Sequence, residues 1–113
     1  MRTRVTLCSL AVAGLAVCQV SAQESVERGQ QVFDVWCAPC HTTGPGNSGT
    51  VALEVRYQGT KPAALEARTD LSPDLTELFV RNGISIMPPF RKTEISDADL
   101  EALAAYLAPS ADQ

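Results

Sequence analysis

Cys37-Ala38-Pro39-Cys40-His41 is the stretch on which the fold turns. Two thiols three positions apart have the spacing at which each forms a thioether to one vinyl group of a haem. The histidine directly after the second thiol is then placed against the iron as an axial ligand. Five residues recur by chance, so the rest of the 113-residue chain has to agree with them.

The N-terminus reads as a secretory signal peptide over residues 1–22. Arg2 and Arg4 form a basic start, and Val5 to Val17 is apolar apart from Thr6, Cys8, Ser9 and Gly14. Val20-Ser21-Ala22 offers small or modest side chains to a signal peptidase. The run is too short and wrongly flanked for a membrane span, so a periplasmic protein without a membrane anchor is expected. A rival reading takes Leu15-Ala16-Val17-Cys18 as a lipobox with Cys18 lipidated; Val17 fits that motif poorly.

Cleavage after Ala22 would leave residues 23–113 as one small domain with 7 basic and 13 acidic residues. A negative domain of this size argues against nucleic acid and anionic membrane surfaces as partners. Of four cysteines only Cys37 and Cys40 would remain. A disulfide between them would close too short a loop to contribute much chain-entropy stabilisation. A chain this short buries a limited core and needs a staple, which a covalently held haem, apolar on both faces, would supply.

The periodicity predicts a mostly helical domain. A first helix is expected over Val26 to Trp36, capped by Ser25 and carrying Val26, Gly29, Val32, Phe33 and Trp36 at helical spacing. Phe33 and Trp36 read as plain core. Thr42 to Thr50 reads as a loop. Val51, Leu53, Val55 and Tyr57 alternate with polar residues or alanine, which predicts an extended segment or a single helical turn. Pro62 is expected to open a short helix to Arg68. Ser72-Pro73-Asp74 opens the next helix, whose face is marked by Leu75, Leu78, Phe79 and Asn82 and whose end is marked by Gly83. A proline-stiffened loop from Ile84 to Lys92 holds Met87-Pro88-Pro89-Phe90. Ser96 and Asp99 have capping-box spacing, and Ile95 and Leu100 form a hydrophobic staple. Leu100, Leu103, Ala104 and Leu107 then form a buried stripe that ends before Pro109.

Iron needs axial ligands, and residues 23–113 hold one histidine, His41, and one methionine, Met87. Imidazole with thioether is a ligand pair of electron-transfer haems. A thioredoxin-type use of Cys37 and Cys40 would need βαβ units that the pattern lacks. A zinc site would need ligands that the chain does not offer. Met87 as a simple core filler is the plain alternative to ligation. Arg56, Tyr57 and Lys61 are candidate partners for haem propionates, and the adjacent Arg91 and Lys92 are candidates for touching a partner protein; solvated surface charge is the plain alternative for both sets.

With these residues in place the chain resembles the class I cytochrome c family. The resemblance runs from Gly29-x-x-x-Phe33 through Cys37-Ala38-Pro39-Cys40-His41, Arg81-Asn82-Gly83 and Met87-Pro88-Pro89-Phe90 to Asp99-Leu100-x-x-Leu103-x-x-Tyr106-Leu107. It implies an all-α class I cytochrome c fold, with N- and C-terminal helices crossing near a right angle around one covalent haem c. It also implies His41 and Met87 as iron ligands, and a proline carbonyl, that of Pro45, accepting from the His41 ring. A narrower set is similar to cytochrome subunits of para-alkylphenol flavohydroxylases, of the p-cresol methylhydroxylase and eugenol hydroxylase kind. It comprises Tyr57-Gln58-Gly59, Arg68-Thr69-Asp70-Leu71 and Val80 through Lys92. That likeness implies a flavoprotein donor subunit and a downstream cytochrome, copper protein or oxidase as acceptor. The expected function is therefore electron carriage rather than catalysis; a free carrier for another donor, and a haem enzyme or gas sensor with a labile Met87, are the alternatives.

Overall fold

The computed structural model describes residues 13–109, with side chains from position 22 onward. Among the described residues five helices follow one another: α1 (Ala13–Trp36), α2 (Ala38–His41), α3 (Ser48–Tyr57), α4 (Pro73–Asn82) and α5 (Asp97–Leu107). A 3-10 turn, Leu65–Ala67, lies between α3 and α4. Among the described residues there is no β-strand, only an isolated bridge between Ile84 and Met87. The fold is all-helical, as the class I cytochrome c resemblance implies.

α1 begins earlier than the capping signal suggested. Ser25 lies inside the helix, because residues 13–24 carry no proline to stop it and a cap acts only at an end. Positions 1–12 of the expected leader fall outside the described residues, as do the side chains of 13–21, Cys18 included. At the other end the amide of Cys37 still donates to the Phe33 carbonyl, 2.8 Å away, so the α1 ladder runs directly into the motif.

The core lies where α1, α4 and α5 meet. Phe33, Ile95 and Leu103 are fully buried, and Val32, Cys37, Leu71, Val80, Leu100 and Leu107 complete the cluster. The ring of Tyr106 stands 5.8 Å from that of Phe33, tilted by 53°. Gly29 leaves room for the α5 backbone beside Tyr106. Ile95 and Leu100 are 1% and 3% exposed, as a hydrophobic staple requires. Ser96 caps α5 by accepting from the Asp99 amide at 3.1 Å, and Ser72 caps α4 by accepting from the Leu75 amide at 3.2 Å. The Asp99 carboxylate takes Arg28 Nε of α1 at 2.7 Å, so half of the capping box has become a tie between the first and last helices.

Four local expectations are corrected. The segment from Val51 is a full helix rather than an extended segment or a single turn; Thr50, Leu53 and Tyr57, buried or half-buried, lie on one helical stripe, which the alternation of Val51 and Val55 with Leu53 and Tyr57 concealed. Only Leu65–Ala67 of the Pro62–Arg68 stretch is helical, and as a 3-10 turn. On α4 the buried side chains are Thr76 and Val80; Leu78 is 54% exposed, and Asn82 turns back to donate to the Leu78 carbonyl at 2.7 Å. Trp36 is not plain core. It is 41% exposed and meets Phe90 edge-on at 5.9 Å.

Candidate functional site

α2 is a single turn placed between α1 and α3, and it carries the motif. Cys37 precedes it, buried in the core cluster, while Cys40 faces outward. Neither thiol is bridged. Burial first, and the neighbouring Cys40 second, push the Cys37 thiol up to about 12. His41 ends the turn, and burial lowers its pKa, which favours the neutral imidazole that a metal ligand must be.

The surroundings of His41 come from α3. A Cβ on Gly49 would lie 2.6 Å from His41 Cε1, 2.8 Å from Nδ1 and 2.8 Å from the Cys40 carbonyl oxygen. The imidazole therefore lies flush against the first turn of α3. Thr50, 3% exposed, donates its hydroxyl to the Thr42 carbonyl at 2.8 Å, with the Cys40 carbonyl 3.5 Å away. Asn47 ties the preceding loop by donating to the Gly44 carbonyl at 2.9 Å. His41 Nδ1 is buried without a hydrogen-bond partner. The bond expected from Nδ1 to the Pro45 carbonyl is thus not made, and contact with Gly49 stands in its place. Sequence reading missed Gly49 and Thr50, because a Gly-Thr pair after a polar loop looks like more loop.

Met87 packs against the core cluster that includes Cys37. Its loop is tightly held. Ile84 and Met87 exchange backbone hydrogen bonds of 3.0 and 2.9 Å around Ser85-Ile86, with Ser85 at φ 55°. Gly83, at φ 68°, lies under the turn; a Cβ there would be 2.5 Å from the Met87 carbonyl oxygen. The Phe90 amide donates to the Val80 carbonyl at 2.8 Å, and Arg81 donates to the Phe90 carbonyl at 3.1 Å and to Asp97 at 2.9 Å.

The charged candidates sort differently. Arg68, which the residue-by-residue reading passed over, is buried; it forms a two-pronged pair with Asp70 at 2.6 and 2.7 Å and donates to the Tyr57 hydroxyl at 2.7 Å. Lys61 joins the same Asp70 at 2.8 Å. Arg68 and then Lys61 hold the Asp70 carboxyl far below its usual range. Arg56 is exposed and makes no ion pair with a described residue. Arg91 pairs with Glu94 and Lys92 with Asp97, at 3.3 and 2.7 Å, so the adjacent basic pair is neutralised within its own loop and helix start. A cleft of about 190 Å³ lined by Glu66, Arg68, Tyr106 and Pro109 among others includes no residue of the motif. No helix among the described residues is long and apolar enough to cross a membrane.

Two unbridged thiols, a neutral imidazole seated in a glycine cradle, and a thioether held by its loop suit a haem bound through Cys37 and Cys40. Fold and site together define a c-type haem domain. Residues 24–107 match the family described as cytochrome C oxidase, cbb3-type, subunit III. Cytochrome c6 of Cyanidium caldarium is 32% identical over 109 residues, 96% of this chain and 89% of the relative. Cytochrome c6 of Cyanidioschyzon merolae (strain NIES-3377 / 10D) is 34% identical over 79 residues, covering 70% and 68%. No solved structure matches the chain at comparable significance. The chain belongs to the cytochrome c family, and with that membership comes a covalently bound c-type haem and haem-mediated electron transfer.

Proposed function

We propose that the protein is an exported monohaem electron carrier, with Cys37 and Cys40 as thioether anchors and His41 and Met87 as the two axial ligands. The observation that carries this reading is the shared core: Met87 packs against the apolar cluster that buries Cys37, the residue that opens the motif. The haem supplies the one-electron couple. The polypeptide supplies a neutral imidazole, a soft sulfur and a rigid frame for both. A thioether ligand raises the potential relative to harder ligands. Membership of the cytochrome c family supports carriage rather than catalysis as the role.

The proposed donor is a reduced flavin subunit acting on para-alkylphenols, and the acceptor a downstream cytochrome, copper protein or oxidase. The segments around Tyr57, Arg68 and Val80–Lys92 support this reading through their likeness to flavocytochrome subunits. Export is supported by the composition of residues 1–22. The haem-loaded protein should give a six-coordinate low-spin spectrum in both oxidation states, and carbon monoxide should perturb it slowly. A high-spin ferrous form that binds carbon monoxide at once would refute His41/Met87 ligation. Co-purification with a flavoprotein tests the donor separately; isolation as a free monomer that fails to oxidise such a flavoprotein would reject it.

A further inference from the structure

We propose that the first turn of α3, through Gly49 and Thr50, orients the His41 ring in place of a hydrogen-bonded carbonyl at Nδ1. This deepens the reading of His41 as an axial ligand and rests on it. Haem-binding histidines generally donate their second ring N–H to a carbonyl or carboxylate, which fixes the ring and raises its basicity. Here Nδ1 is buried with no such partner. The ring edge Nδ1–Cε1 instead lies so close to Gly49 that a Cβ there would stand 2.8 and 2.6 Å from these atoms.

No side chain other than hydrogen fits that position. Gly49 is not at a positive φ, so the backbone itself would accept alanine, and alanine is the better helix former by about 1 kcal/mol. The glycine is therefore required by what packs on it, the His41 ring and the Cys40 carbonyl oxygen 2.8 Å from such a Cβ, rather than by the helix. Thr50 completes the device. Its one hydroxyl reaches the carbonyls on both sides of His41, those of Thr42 at 2.8 Å and Cys40 at 3.5 Å, and fixes the backbone from which the ring projects. Steric contact thus limits rotation of the ring, while the imidazole is spared the electron donation that an acceptor at Nδ1 would bring. A less basic ligand favours the ferrous state. Gly49 and Thr50 are positioning residues that act on the iron only through His41.

The test uses haem-loaded full chains: wild type, Gly49→Ala, Thr50→Val, Thr50→Ser and the exposed neighbour Ser48→Ala. The readouts are the paramagnetically shifted haem-methyl resonances of the ferric protein and an equilibrium redox titration. Gly49→Ala should reorder or respread the methyl resonances and change the ferric-to-ferrous ratio at fixed poise about tenfold, or about 59 mV for one electron. Thr50→Val should move both readouts in the same sense; Thr50→Ser and Ser48→Ala should leave them at wild type. Fully haem-loaded Gly49→Ala with unchanged methyls and potential overturns the proposal. Should Gly49→Ala fail to fold, the Thr50 pair decides: a shift in valine alone supports the device, and no shift overturns it. A wild-type spectrum without a histidine-ligated low-spin haem refutes the ligand reading itself, and the proposal with it.

Discussion

A Cβ on Gly29 would stand 2.1 Å from the carbonyl oxygen of Ala102, so α1 and α5 meet backbone to backbone. The same Cβ would be 2.7 Å from Tyr106 Cβ. Alanine at position 29 gains helix propensity of about 1 kcal/mol. It must also separate two helices, and overpacking of this kind costs about 1–3 kcal/mol. Gly29→Ala is expected to lower the denaturant midpoint with an unchanged slope and to leave the haem spectrum as it is. A midpoint at or above wild type would show that the crossing has slack.

Much of this arrangement was legible in the sequence, and the reasons are local. Ser72, Ser96, Gly83 and the Ile95/Leu100 staple act within a few residues, so their patterns fixed α4 and α5 closely. Gly29 with Phe33 pointed to the α1–α5 contact. The errors came where tertiary context decides. Val51 and Val55 are 45% and 71% exposed, so their spacing carries no burial signal and points to an extended segment or a single turn rather than the full α3. Gly49 could not be recognised, because its meaning depends on a ring eight positions earlier. Nor could Arg68 be expected among buried residues until Asp70 and Tyr57 were seen to satisfy it.

On the proposed ligation, Met87→Ala should free one axial position without opening the core, since Met87 lies at the edge of the cluster. The expected result is a lower midpoint potential and rapid carbon monoxide binding. Gly83→Ala should produce a milder form of the same change. Its φ of 68° and the 2.5 Å approach to the Met87 carbonyl oxygen both oppose a side chain there. Carbon monoxide kinetics by flash photolysis would rank wild type, Gly83→Ala and Met87→Ala in increasing order of rate; equal rates would remove Met87 from the iron.

Tyr106 should give the protein an alkaline weakness. Burial first, and the hydrogen bond it donates to Glu66 second, push its phenol up to about 12. The folded pKa lies above the unfolded value of about 10. The stabilisation is therefore complete below pH 10 and is lost as pH rises through 12. Tyr106→Phe should be less stable than wild type at pH 8, with the gap closing between pH 10 and 12. Urea midpoints taken across that range would measure the convergence, and parallel curves would exclude it.

Ser96→Ala should destabilise the protein by about 1 kcal/mol, the usual cost of losing an N-cap, and Ser72→Ala by a similar amount. Ser96→Asp should recover most of the loss. Thermal or urea unfolding of the haem-loaded protein would report it; unaltered stability in Ser96→Ala would mean that the packing of Leu100 and Leu103 alone holds the start of α5.

The dependence of α1 on α5 also sets an order of events. The face of α1 that carries Phe33 is covered by side chains from the final helix, including Leu103 and Tyr106. Those side chains lie far along the chain from Phe33, so a growing chain that has not yet reached α5 has nothing with which to close its core. Cys37, enclosed in the finished fold, remains reachable throughout that interval. The architecture thereby defers burial of the attachment site until α5 is in place, leaving a time window in which a bulky planar group can be joined to it.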